Sequence, residues 1–240
     1  MLTQPPPPGW GNDEITKFID HARGHEYATF ANCKQEFERL RRIDVIFRQL
    51  INNLFNTKEW FAGFFLLRAH SSFLGAARLV MSAQVAETYT VLRAALENAL
   101  YGYYLHRNPS SRETWLRRHD SDALKKKVKD EFKIRNLVSE LAKQNKTEAQ
   151  IVETLYERTI DFGGHPNERA LTQSLQITKG AQTVELKVAY LDEDSTPFRL
   201  ALKTTAQVGV CVLGVFRLVF KERFDILGLT EALDLLKQGL

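Results

Sequence analysis

Apolar residues return at every third or fourth position through most of this chain, and that period commits it to helices. Between Glu36 and Asn56 the stripe runs through Phe37, Leu40, Ile43, Phe47, Leu50 and Leu54, widened by Ile46, Ile51 and Phe55. Its start is open, with a backward extension toward Glu26 and a shorter helix from Asp13 to Ala22, capped by Asn12 or Asp13, both compatible with the pattern. Trp60 to Met81 is apolar nearly all round and carries small residues at Ala62, Gly63, Gly75, Ala76 and Ala77. Such a segment predicts a helix in the middle of a bundle, where small side chains admit close neighbours. Ala86 to Leu105 repeats the period with Tyr89, Leu92, Leu96, Ala99, Leu100 and Tyr103, and Asn108-Pro109 stops it. The residue before a proline avoids the helical region.

The second half is read the same way. Ser110 or Ser111 is expected to cap a short helix through Trp115 and Leu116. One polar helix is predicted over Asp122 to Lys143, and Thr147-Glu148-Ala149-Gln150 has the form of a capping box opening the next. That next helix shows Ile151, Val152, Leu155, Tyr156 and Ile160 and ends at Gly163-Gly164. The period then changes. Val184, Leu186, Val188 and Tyr190 alternate with polar or small residues, which marks a half-buried strand, and Leu175 and Ile177 before Lys179-Gly180 supply a partner. Ser195-Thr196-Pro197 gives a cap and a first-turn proline for a long helix from Phe198 to about Glu222, and Thr230 is expected to cap a last short one. The predicted fold is all-α: a helical bundle spanning residues 13–240, with a small β-hairpin at about 173–191 inserted before the last long helix.

Residues 1–12 carry the run Pro5 to Pro8, which favours an extended, loosely held arm and lacks the basic and apolar regions of a secretory signal. In Trp60 to Val80, Arg68, His70 and Arg78 would lie at membrane depth, so a core helix is expected and no membrane partner. Cys33 and Cys211 are too few for a disulfide scaffold or a zinc site, which fits a cytoplasmic location. The net charge is only +4, and it is localised: from Arg112 to Arg135 nine basic residues face five acidic ones. Arg117, Arg118, Lys125, Lys126 and Lys127, with Trp115 and Phe132 at the ends of the stretch, form a candidate RNA-binding face; a solvated helix face explains the same pattern.

No GxGxxG, GxxxxGK[ST], HExxH, GxSxG or CxxC motif occurs, which counts against a dinucleotide enzyme, a P-loop NTPase, a zincin and an α/β-hydrolase. No cofactor and no metal site is expected. Arg93 and Glu97 lie one helical turn apart and form either a structural ion pair or a polar spot lining a pocket. Arg158 falls on the line of Ile151, Leu155 and Phe162, at the edge of a buried face, with His165 beyond the Gly163-Gly164 break. A permanent cation beside a group titrating near neutrality suits phosphodiester cleavage, with histidine moving a proton and arginine holding the charged intermediate. A salt-bridged arginine and a packing histidine are the plainer alternative.

The stretch TYTVLRAALENALYGYYL ending at Leu105, the following HRNPSSRETWLRRHDS, and LYERTIDFGGHP ending at Pro166 resemble segments of the DUF5677-like group of bacterial proteins. That group is similar to the HEPN superfamily of helical bundles. The resemblance implies a HEPN-like fold and a metal-independent RNase of a toxin or antiphage system. It further implies a homodimer, an antitoxin-like protein partner and RNA as substrate, with Arg158 and His165 as the Arg-x(4–6)-His motif. Two departures point to the alternative, a non-catalytic helical binding or interaction module. Thr159 stands where the motif commonly has Asn, Asp or His, and Gly163-Gly164 interrupts the helix between the two residues.

Overall fold

The computed structural model describes residues 5–164, 175–179, 184–188, 190–192 and 194–240. The described body is a helical bundle. Asp13 opens α1 (Glu14–Asn32) by accepting from the Thr16 amide, and α2 (Lys34–Asn52) follows directly after Cys33. The two are separate helices, so the amphipathic stripe of α2 does not run back to Glu26. The end of the arm meets α1: the Trp10 indole donates to Asp20 Oδ2 at 2.9 Å and the Gly11 amide to Thr16 Oγ1 at 3.0 Å.

Next come α3 (Trp60–Met81), α4 (Val85–Arg107) and α5 (Pro109–Leu116). In α5, Pro109 rather than a serine starts the helix, at the position where a missing N–H costs nothing. The single helix expected over Asp122 to Lys143 is two, α6 (Asp122–Glu131) and α7 (Ile134–Gln144). Asn136 Nδ2 donates to the carbonyls of Asp130 and Glu131, satisfying the end of α6 and fixing the break. Asn145, not Thr147, caps α8 (Lys146–Thr159): its Oδ1 accepts from the Glu148 amide at 3.0 Å. A π-helical turn, Ile160–Gly164, extends it. Strands β1 (Leu175–Lys179) and β2 (Val184–Val188) pair antiparallel, Leu175 opposite Val188.

Ser195 Oγ accepts from the Phe198 amide and starts α9 (Thr196–Val219); α10 (Lys221–Ile226) and α11 (Leu229–Lys237) complete the chain. Gly228, in the left-handed region at φ 66°, precedes α11, while Thr230 turns back to Asp225 instead of capping.

The central element is α9, packed on by α2, α3, α4, α8 and α11. It alone among the described helices is long and apolar enough to cross a membrane, and most of it is buried. The expectation that α3 is central needs correction. It packs on α4, where Phe65 meets Gly102, and on α9 and α2, where Phe73 meets Gly209 and Phe47, yet Trp60, Phe64, Leu67 and Leu74 on its outer face are exposed.

Candidate functional site: the cleft between α8 and α9

Helix α8 buries Val152, Leu155, Tyr156 and Thr159 against its neighbours, a stripe of the period expected for one amphipathic face. Arg158 lies at the edge of that stripe and is half-buried. It reaches across to α9, where Nη1 donates to Gln207 Oε1 at 2.7 Å and to Thr204 Oγ1 at 3.2 Å. Gln207 Nε2 in turn donates to the Leu240 carbonyl at 3.3 Å, so one chain of hydrogen bonds ties α8, α9 and the C-terminal turn. Among the described residues no carboxylate pairs with Arg158.

These groups line an open cavity of about 400 Å³. Ile151 and Leu155 form its α8 wall, Val210 and Cys211 its α9 wall, and Leu240 closes part of the third side. Arg158 and Gln207 stand at one end, Glu148 and Lys237 at the other. Burial pushes the Cys211 thiol well above its usual pKa, helped by the Glu148 carboxylate and opposed by Lys237, so the sulfur stays protonated and unreactive.

Glu148 is the feature that the sequence reading missed. It is 4% exposed, with Oε2 held by Lys237 Nζ at 3.1 Å and Oε1 buried without a hydrogen-bond partner. It lies flat against α9 at Gly214, where a β-carbon would stand 2.8 Å from the carboxyl carbon. Only glycine lets the carboxylate into that space. The signal was available: Glu148, Val152, Leu155 and Thr159 share one helical line, which put the acid on the buried face.

Arg93 and Glu97 form a half-buried pair on α4, Nε to Oε1 at 2.9 Å, with Tyr156 Oη donating to the same Oε1 at 3.0 Å. The Arg93 guanidinium also lies 5.2 Å from the Tyr156 ring centre. Burial, reinforced by Glu97 and opposed by Arg93, pushes the Tyr156 hydroxyl up to about 12. Neither Arg93 nor Glu97 lines the α8–α9 cavity. Behind Arg158, the Tyr89 hydroxyl is buried and shifted upward by that burial, against the opposing pull of Thr204 and Arg158.

His165, the proposed partner of Arg158, lies outside the described residues. The turn before it docks tightly on α4. Phe162 stacks on Tyr89 at 5.3 Å, Thr90 Oγ1 donates to the Gly163 carbonyl at 3.0 Å, and a β-carbon on Gly163 would strike the Ala86 carbonyl.

The basic stretch does not combine charge with stacking rings. Arg117 is tied to Asp120 and Glu113, while Arg118, Lys125, Lys126 and Lys127 are exposed. Its two aromatics belong to the core: Trp115 packs 5.5 Å from Phe65, and Phe132 sits 5.0 Å from Tyr101 and 5.3 Å from Tyr104. A second polar unit escaped the sequence reading. Asp44 accepts from Arg48 Nε and pairs with His70 Nε2, each at 2.7 Å, and the His70 ring stacks on Phe47 at 5.0 Å. Burial would raise the Asp44 carboxyl, but these two partners outweigh it and hold its pKa below the usual range. Among the described residues no three His, Cys, Asp or Glu side chains stand together as a metal site would require.

In comparisons with known proteins, no family model, curated sequence or solved structure matches the chain.

Proposed function

We propose that the protein is a helical binding module that holds the anionic group of a ligand on Arg158 in the cleft between α8 and α9. One observation carries this reading: a half-buried guanidinium lines the cavity and is held by the neutral acceptors Thr204 and Gln207, with no carboxylate paired to it among the described residues. Its positive charge is therefore positioned but not neutralised, which is the state an anion requires. The buried, free thiols of Cys33 and Cys211 suit a cytoplasmic setting for such a module. The test is calorimetric titration with inorganic phosphate, a mononucleotide and simple carboxylates. Binding of at least one anion that weakens tenfold or more in Arg158→Gln is expected. Equal binding in both proteins, or none by any anion, refutes the assignment.

The same uncompensated charge favours a second reading, a HEPN-like ribonuclease acting as a homodimer under an antitoxin-like protein. There Arg158 would stabilise the transition state and His165 would move the proton. Arg117, Arg118, Lys125, Lys126 and Lys127 would hold RNA backbone phosphates. RNA cleavage in EDTA that is lost in both His165→Ala and Arg158→Ala supports it; no cleavage above that of the His165→Ala protein ends it.

A further inference from the structure

Resting on the anion-binding reading, we infer that the ligand of the α8–α9 cleft is a straight-chain monocarboxylate of medium length. Both hydrogens of Arg158 Nη1 are spent on Thr204 and Gln207, which leaves Nε and Nη2 without a hydrogen bond among the described residues. That edge offers two parallel N–H donors, the pattern that one planar carboxylate fills. The charge count in the cleft then sets the ligand's charge. Lys237 is matched by Glu148, Arg158 has no paired carboxylate among the described residues, and the Leu240 carboxyl group held by Gln207 adds negative charge to the same cleft, so the site suits a single negative charge rather than a phosphate dianion or a polyphosphate.

The walls set the rest of the molecule. From Arg158 the groove runs past Leu155 and Ile151 on α8 and past Val210 and Cys211 on α9. The protonated Cys211 thiol offers no charge to a polar body. Arg158 and Ile151 are seven residues apart, so the apolar wall extends roughly 10 Å along the helix. It ends at the Glu148–Lys237 pair, where a hydrocarbon tail gains nothing further. A cavity of about 400 Å³ is in the range of small-ligand sites.

The experiment is a chain-length series, butanoate, hexanoate, octanoate, decanoate and dodecanoate, titrated calorimetrically into the wild-type chain. Each added pair of methylenes should tighten binding by about three- to fifteenfold, the upper figure for full burial, while the tail covers the wall. The gain should stop once the tail reaches Glu148 and Lys237. Arg158→Gln should weaken every member by a similar factor. Ile151→Ser, at a rim residue 40% exposed and so tolerant of change, should shrink the gain per methylene and leave butanoate unaltered. Arg158-dependent binding of phosphate or a mononucleotide with no rise along the carboxylates overturns this inference and leaves the anion site standing. A rise that neither variant alters places the chain elsewhere and also overturns it. Failure of every anion to bind removes both readings.

Discussion

Gly214→Ala is the sharpest probe of how the cleft is built. In an ordinary helix interior this exchange stabilises by about 1 kcal/mol, because alanine has less backbone freedom to lose. Here the new methyl group would stand 2.8 Å from the Glu148 carboxyl carbon and 3.0 Å from Oε2. The carboxylate must leave, and Oε2 loses Lys237 as it goes. Overpacking of this kind costs about 1–3 kcal/mol, and disturbing a buried charged hydrogen bond adds about 1–3 kcal/mol. Set against the helical gain, the net loss is about 1–5 kcal/mol. Removing the obstruction reverses the sign. In a Glu148→Ala background the space beside Gly214 is open, and Lys237, already partly exposed, can take up water. There the same glycine exchange should stabilise by up to about 1 kcal/mol, a coupling of about 2–6 kcal/mol across the cycle. Urea denaturation of the four proteins, followed by helical circular dichroism, measures it. Equal effects of Gly214→Ala in the two backgrounds would falsify the placement of the carboxylate against α9.

Other outcomes follow from the buried polar groups. Asp44→Asn should cost about 1–3 kcal/mol near neutrality by breaking the Arg48 and His70 contacts. Because the folded state depresses this carboxyl, its contribution is present above the ordinary aspartate value of 3.8 and fades below it. Denaturation curves of wild type and Asp44→Asn should therefore converge in acid. Tyr156 behaves in the opposite sense. Its pKa is raised to about 12, so its stabilisation is intact below the ordinary tyrosine value of 10.0 and disappears as the pH climbs toward 12. Tyr156→Phe should be less stable than wild type at neutral pH by about 1 kcal/mol, with the gap narrowing in alkali. Cys33 and Cys211 are 3% and 2% exposed, and burial raises both thiols. An aromatic disulfide reagent should label them only as fast as the chain unfolds; rapid labelling of either in the native protein contradicts their packing.

The helices were legible because their stripes are set by burial alone. The α2 line of Leu40, Ile43, Phe47 and Leu50 needs no knowledge of its partner, and all four side chains are in the core. Where a long-range partner decides, local pattern misleads. Asp122 to Lys143 has one continuous period, yet an amide from Asn136 folds back and splits it. The α3 residues Trp60 and Phe64 read as core because they are apolar, but α9, not α3, takes the centre and leaves them at the surface. The cleft was half visible. Arg158 stood out by its place on a helical face, whereas Glu148 was absorbed into a capping pattern, and its true neighbours, Gly214 and Lys237, are far away in sequence. No spacing rule along the chain links residues 148, 214 and 237.

The position of α9 has a consequence for how the chain is born. Synthesis proceeds from the N-terminus, and the element around which the others close leaves the ribosome after α2, α3, α4 and α8, which pack on it. Until then the sides of α2, α3 and α4 that face α9 are uncovered, among them Ile43 and Phe73, which lie against Gly209 in the folded chain. Nascent chains halted before Thr196 should thus bind chaperones tightly and be cut readily by proteases, and release from both should come in one step as the segment from Thr196 onward emerges.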